Sequence, residues 1–538
     1  MTTFDYIVVG AGSAGCILAN RLTEEPACRV LLLEAGGEDS SALIRTPATF
    51  TMLQDSEFDW GYRTVPQVHL NARRIFSPRG RVLGGSSSIN YMMYVRGNSR
   101  DFDNWRDLGN PGWGYVEVLP YFKRAEDSRD ICDQWHGEGG PLVVTNALKP
   151  HPLVHRYLDA AQQAGLPLNP DFNGARQGGC GLYQRTIRDG IRWSTADAYL
   201  RPALSRLNLT VVTHAHATRL LFTGDRSISG VEYIQNHALQ RAHASREVIL
   251  SGGAFNSPQL LMLSGIGPTK ELERLGIKVI HDSPGVGKNL RDHLAVRLGC
   301  EINEPLSFPA LPAAAKAAAM AEYTNTHTGP MASNFLEAGA FATTIQDENW
   351  PSLQLFFVPT MPNPYPEAGS NFRHGMTFMC SVNRPRSHGQ VTLASANPLD
   401  RPIINPNYLS APEDMKVAVA GVRRNLEILK GRAFDSIRAN ATFPQTLPDT
   451  DAEVEAHIRG DGTTIWHVSG TCKMGADSAA VVDAELRVHG LDGLRVVDAS
   501  IMPQVVSANT NAAVIMIAEK ASDMIRGQSP LPADAGAA

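Results

Sequence analysis

Six residues near the start constrain the fold more than anything else in the chain. Gly10-Ala11-Gly12-Ser13-Ala14-Gly15 spells G-x-G-x-x-G. It follows a β-branched apolar run at 4–9 and opens a stretch, 14–22, with apolar residues at helical spacing. A second apolar run, 30–33, ends at Glu34. Strand, Gly-rich turn, helix and strand make the first half of a doubly wound α/β sheet. The glycines permit a tight turn and let the backbone approach a pyrophosphate. The helix N-terminus then offers free N–H groups and a partial positive charge. Glu34, with Ala35 after it, ends the second strand. A carboxylate there accepts hydrogen bonds from ribose hydroxyls and repels a 2′-phosphate. FAD or NAD fits this fingerprint, and NADP does not.

The chain is 538 residues long, which exceeds one ordinary domain, and 43% hydrophobic residues against 19% charged ones supply a large core. Its net charge is −5, without a basic stripe, which argues against nucleic acid as a partner. No apolar run approaches the roughly 20 residues of a membrane span. The seven cysteines are odd in number, scattered and free of any C-x-x-C, so they read as free thiols in a reducing compartment, with no metal centre. No positively charged segment precedes the first apolar run, which argues against a signal peptide. These readings place the protein in the cytoplasm, with the inner-membrane surface as a peripheral alternative. None of them specifies an oligomeric state.

Further strands of the same sheet are expected at 248–250 and 494–497. Ser257 reads as an N-cap and Pro258 as the first position of a helix stopping near Gly265. Residues 512–524 carry a helical pattern. The middle differs: 353–358, 376–383 and 390–393 look like strands between Pro- and Gly-rich turns, and 417–429 like a helix. The expected class is α/β, and α+β overall. A Rossmann-like dinucleotide domain (1–160, 195–297, 464–527) carries an inserted domain (161–194, 298–463) built on an antiparallel sheet with helices. Residues 528–538 read as a flexible tail. Residues 313–323, AAAKAAAMAEY, form a surface-helix candidate.

Four more blocks carry a resemblance. Residues 79–97 read RGRVLGGSSSINYMMYVRG, 251–268 SGGAFNSPQLLMLSGIGP, 464–475 TIWHVSGTCKMG, and 498–520 DASIMPQVVSANTNAAVIMIAEK. With the N-terminal fingerprint, they resemble the glucose–methanol–choline (GMC) oxidoreductases over essentially the whole chain. The resemblance implies a flavin domain, a substrate domain, bound FAD and oxidation of an alcohol. Gly84-Gly85, followed by Ser86, brings N–H groups and hydroxyls to one point, which suits a pyrophosphate or a flavin edge. By the same resemblance Asn90 sits at the flavin ring. Some members attach FAD through a His at the position held here by Ile89, so this FAD is expected to be non-covalent. Asp498 and Ala499 follow a strand at the ligand-binding edge. Asn509, Thr510 and Asn511 begin a helix whose dipole would stabilise negative charge on the reduced flavin.

Among sixteen histidines, the resemblance singles out His467, flanked by Trp466, as catalytic. Alcohol oxidation needs a base for the hydroxyl proton while hydride leaves the α-carbon, and an imidazole suits that task. The second catalytic group is expected at Asn511, with Asn509 as competitor. Being an amide, it would orient the substrate oxygen. His214 and His216 form H-x-H on a strand-like stretch, which suggests solvated histidines rather than a metal site; His136 reads as structural. Leu355, Phe356, Phe357 and Phe378 suggest an apolar substrate wall, and Phe356 and Trp466 are the expected substrate contacts. The expected substrate is a non-ionic primary alcohol (aliphatic, polyether, aryl or furanic) giving an aldehyde. Oxygen or a quinone-type molecule is the expected electron acceptor. Choline is the alternative substrate. A GMC-fold hydroxynitrile lyase or an electron carrier without catalysis are the alternatives of other classes.

Overall fold

The computed structural model describes residues 3–147, 149–224, 226–344, 350–362 and 372–537. Two seven-stranded sheets organise them. In the first, Thr3–Val9 pairs in parallel with Val30–Leu33 and with the end of Ala238–Leu250. Leu209–Val212 extends this parallel layer on one side and Leu494–Val496 on the other. Its central strands are buried on both faces, which is why they read as continuous apolar runs. His216–Thr223, Ser227–Gln235 and the beginning of Ala238–Leu250 form an antiparallel extension.

Register decides where the ligand edge lies. Val9 is level with Leu33 and Leu250, and Leu250 with Val496. The residues that follow these carboxyl ends, Gly10, Glu34, Ser251 and Asp498, therefore converge on one rim.

The second sheet is antiparallel. Its order is Arg438–Phe443, Leu294–Ile302, Met376–Val382, Leu353–Val358, Ala338–Ala342 and Gly179–Leu182, with Thr463–Thr464 pairing on Leu294 and Ala295. Alternation splits its faces. Leu355, Phe357 and Phe378 pack toward the helices Pro152–Gln163 and Pro412–Leu429, where Tyr157 stacks on Phe357 at 4.9 Å. Only Phe356 of the four expected wall residues faces the other way, into the cavity described below; Met379 joins it there. Gln390–Thr392 pairs with Ile403–Asn405 outside this sheet.

Several expected boundaries move. The divisions at 160 and 297 fall inside the helix Pro152–Gln163 and the strand Leu294–Ile302, both of which belong to the second sheet's layer. The helix expected to start at Pro258 spans Gly253–Leu263, placing Ser257 and Pro258 inside it. Proline in a helix interior removes a donor, and here the Thr471 hydroxyl donates to the Ala254 carbonyl instead, at 2.6 Å. The final segment is docked rather than loose: Leu531 N–H donates to the Tyr121 hydroxyl at 3.0 Å, and Lys123 pairs with Asp534 at 2.9 Å. All seven cysteines are free thiols. No helix among the described residues is long and apolar enough to cross a membrane.

Candidate active site

A cavity of about 1090 Å³ runs from the rim of the first sheet to the open face of the second. At the first end its wall includes Gly10, Gly12, Ser13, Ala14 and Ala35. Gly85, Ser86, Ile89, Asn90, Asp498, Ala499, Asn509, Thr510 and Asn511 line it as well. The blocks separated by hundreds of residues thus meet at one surface.

Three sequence candidates stand behind that wall. Gly15 lets the first helix press onto the fingerprint turn: a Cβ there would lie 1.9 Å from the Gly10 carbonyl oxygen. Gly84 backs Gly85. Glu34 is buried, and its oxygens accept from Ala11 N–H at 2.9 Å and Gly36 N–H at 2.8 Å. Burial pushes its carboxyl up to about 7, against those two donors. Glu34 therefore holds the fingerprint turn, a part the sequence did not reveal, and each of its oxygens keeps a second lone pair for the ribose hydroxyl expected there. Glu34→Gln keeps the size, but its amide N–H₂ faces one of the two backbone donors. A hydrogen bond to a charged group contributes about 1.5–3 kcal/mol. FAD should dissociate faster from this variant, with turnover per bound flavin nearly unchanged. An equal loss of turnover in the fully loaded variant would contradict the assignment.

The cradle fits a dinucleotide on structural grounds. Gly10 and Gly85 stand where a Cβ would come within 2.6 Å of Ser251 oxygen and of Gly12 Cα respectively. Only bare backbone lets the turns close around a pyrophosphate. The last helix, Thr510–Arg526, points its N-terminus into the same space. Arg192, which the sequence did not single out, braces the cavity wall at Asn90. Its buried guanidinium donates to the Asn90 carbonyl at 2.7 Å and to Asn90 Oδ1 at 3.0 Å.

His467 lies midway along the cavity, buried beside Trp466, which also lines it. The Thr463–Thr464 strand carries the chain to this point. His467 Nε2 faces Asn509 Nδ2 at 3.2 Å. Asn511 does not approach the histidine: its Oδ1 accepts from Ser13 Oγ at 2.6 Å. The reason is helical. Positions two apart at a helix start differ by about 200° in direction, so both cannot face one ring. Asn509 is the N-cap residue, yet its side chain makes no cap bond. Its Oδ1 instead accepts from Gln354 Nε2 at 3.2 Å, which turns the N–H₂ toward His467.

His293 was not legible beforehand. Its Nδ1 meets His467 Nδ1 at 2.8 Å, and its Nε2 donates to the Asn383 carbonyl at 2.9 Å. A carbonyl only accepts, so the neutral His293 carries its proton on Nε2 and presents a bare Nδ1. His467 Nδ1–H donates to it. The neutral His467 therefore turns an unprotonated Nε2 toward Asn509 and the cavity. Both rings stay neutral. Burial lowers the His293 pKa to about 4. Burial, with His293 and Arg79 nearby, holds His467 well below 6.5.

The remaining histidines separate. His214 lies in a left-handed turn ahead of the strand that His216 begins, so the pair shares no face. His216 lines the cavity rather than facing solvent, with Nε2 on the Pro398 carbonyl at 3.1 Å. His136 is buried; against burial, which lowers it, hydrogen bonds to Asp171 and Glu126 raise its pKa to about 9.

The chain matches the GMC oxidoreductase family over residues 4–295 and 385–518. It belongs to the GMC oxidoreductases. It is 43% identical to an alcohol dehydrogenase [acceptor] of Pseudomonas putida over 530 residues, covering 97% of this chain and 95% of that protein. It is 44% identical to the human mitochondrial choline dehydrogenase, covering 98% and 90%. Among solved structures, a pyridoxine 4-oxidase from Mesorbium loti superposes with a TM-score of 0.88 at 32% identity, covering 98% of this chain and all of that one. A formate oxidase superposes at 0.91 and 30% identity, covering 98% of both. This GMC enzyme binds FAD and oxidises CH–OH groups.

Proposed function

We propose that the enzyme oxidises a non-ionic primary alcohol to its aldehyde, with His467 as the base and Asn509 orienting the substrate oxygen. FAD, when bound, supplies the hydride acceptor and passes electrons to oxygen or a quinone-type molecule. The bare Nε2 of His467 takes the hydroxyl proton. With substrate bound, the alcohol hydroxyl takes the place of the Asn509 N–H at that nitrogen, and the Asn509 amide donates to the alcohol oxygen instead. Ile89 has no nucleophilic atom, so the flavin is held without a covalent bond at that position. The seven free thiols suit work in the cytoplasm.

The observation that carries the substrate class is the charge of the cavity wall. Phe50, Met52, Phe335, Phe356, Val358 and Met379 line its far end. The one carboxylate lining the cavity among the described residues is Asp498, at the dinucleotide end. Its oxygens are engaged by Gly253 N–H, Ser257 Oγ and Ser500 N–H. The far end offers two cations instead: Lys316, and Arg297, which pairs with Asp461 at 2.6 Å. Such a wall favours uncharged apolar matter and opposes a quaternary ammonium.

Choline is the second reading. The choline dehydrogenase relatives favour it, as do the faces of Phe50, Tyr91 and Trp466, since aromatic rings attract cations. Anaerobic flavin bleaching across a panel of uncharged primary alcohols and choline separates the two, with reoxidation then followed using oxygen and a dye acceptor. Uncharged alcohols should bleach the flavin faster. Choline ahead of every one of them overturns the assignment, and no bleaching by any alcohol overturns the redox reading itself.

A further inference from the structure

Residue 466 stands in a conformation its type rarely adopts. Trp466 has a φ of 66°, in the left-handed region, immediately before His467. A bulky side chain there is disfavoured and persists only when its surroundings hold it. Arg79 Nη2 donates to the Trp466 carbonyl at 2.6 Å and the Trp466 indole N–H to the Phe76 carbonyl at 3.2 Å, and a buried carboxylate ties the residues on either side. Asp292 Oδ1 accepts from the His467 backbone N–H at 2.8 Å and from the His293 N–H at 2.9 Å. Its Oδ2 accepts from the Thr464 and Tyr408 hydroxyls. Thr464 Oγ1 in turn accepts from the Trp466 N–H at 2.6 Å. Four donors converge on this side chain, so it serves as an acceptor-only carboxylate although it lies away from solvent.

The next residue, His293, reaches the His467 ring itself at 2.8 Å. Asp292 and His293 thus grip one histidine twice, through its backbone and through its Nδ1. Both are almost fully buried, at 4% and 0% exposure, and neither lines the cavity.

We propose that the Asp292-His293 dipeptide is a positioning element for the catalytic base: the carboxylate holds the left-handed Trp466 turn that aims His467, and the imidazole fixes the tautomer that leaves Nε2 bare. The idea rests on the reading of His467 as base. Neither residue lines the cavity; each acts through His467. Without His293, the His467 Nδ1–H loses its acceptor and the ring loses its orientation. Without the charge of Asp292, the Thr464 and Tyr408 hydroxyls lose their shared acceptor and the turn relaxes.

The test is flavin reduction by alcohol, measured per bound flavin in the holoenzyme. His293→Leu should slow it by about 10²-fold, the scale of a small misplacement of a reacting group. His293→Asn, whose Oδ1 can stand where Nδ1 stood, should recover most of that loss. Asp292→Asn should slow reduction while leaving flavin content near wild type. Each substitution is repeated in the His467→Ala background, where residues that act through the base have nothing left to position. There, neither should reduce the residual rate further. Additive losses in that background overturn the proposal, as does a wild-type rate in His293→Leu. Should His293→Leu fail to fold, Asp292→Asn in the wild-type and His467→Ala backgrounds decides, through the presence or absence of additivity. A wild-type rate in His467→Ala itself is a different failure, that of the base assignment.

Discussion

Replacing His467 by alanine should leave FAD bound and slow anaerobic flavin reduction by an alcohol by about 10²–10⁴, the usual contribution of a positioned base. The ring sits beside the cradle rather than in it, and the described contacts that close the cradle do not pass through it. Its pKa lies well below 6.5 because of burial first, then the nearby His293 and Arg79. A base must be unprotonated to work, so a lowered pKa widens the working range toward acid. The rate should be flat through neutral pH and fall only below the ordinary imidazole range. Stopped-flow bleaching of the flavin against pH reads both quantities. Asn509→Ala should also slow reduction but keep the acid limb, since an amide does not titrate. Asn511→Ala should loosen FAD through loss of its contact with Ser13, with a near-normal chemical step. A wild-type rate in His467→Ala sinks the mechanism, and a crippled Asn511→Ala beside a normal Asn509→Ala reverses the two asparagines.

Much of this site could be read from the chain because its parts are local. The fingerprint turn, Ser86 and Asn90 each lie in a short block whose neighbours determine its backbone, and His467 is marked by its block although the distant Asp292 holds its turn. What the blocks did not reveal depends on which way a side chain turns. Two asparagines separated by one residue look alike in a sequence, and only the path of the helix sends one to His467 and the other to Ser13. Strand residues 355–357 are all apolar, so their pattern does not mark which faces the cavity; packing against Tyr157 and Phe434 claims the odd positions. His293 stands just ahead of the strand Leu294–Ile302, 174 positions away from its partner, and nothing around it signals the contact. A useful clue did exist: Asp292-His293 opens the strand on which Thr464 pairs, so an acidic residue and a histidine stand at a sheet end near the block already chosen. The docked terminus, 528–537, misled through composition. Its polar and Pro-rich residues read as a solvated end, while Leu531 and Asp534 each find a partner on the helix Tyr115–Ala125.

The Gly85→Ala variant should purify largely without FAD. Gly85 has a φ of 53°, and a Cβ there would lie 2.6 Å from Gly12 Cα. Both atoms belong to tight turns, and both turns line the dinucleotide end of the cavity. The Gly84 N–H donates to the Ala11 carbonyl at 2.8 Å, so the two turns are already tied together where the methyl would enter. A side chain can swing aside, whereas backbone can yield only by parting the two turns that form the cradle. The left-handed conformation adds a further cost of roughly 1–2 kcal/mol for an alanine. Gly276→Ala separates the two effects. It has a φ of 70° with nothing within 4 Å of the added Cβ, so it carries the conformational cost without the collision. That control should lose some thermal stability and keep its flavin. Flavin content per protein, read by absorbance beside a melting curve, distinguishes the outcomes. A full complement of FAD in Gly85→Ala would mean that close contact between the Gly12 and Gly85 turns is not what holds the dinucleotide.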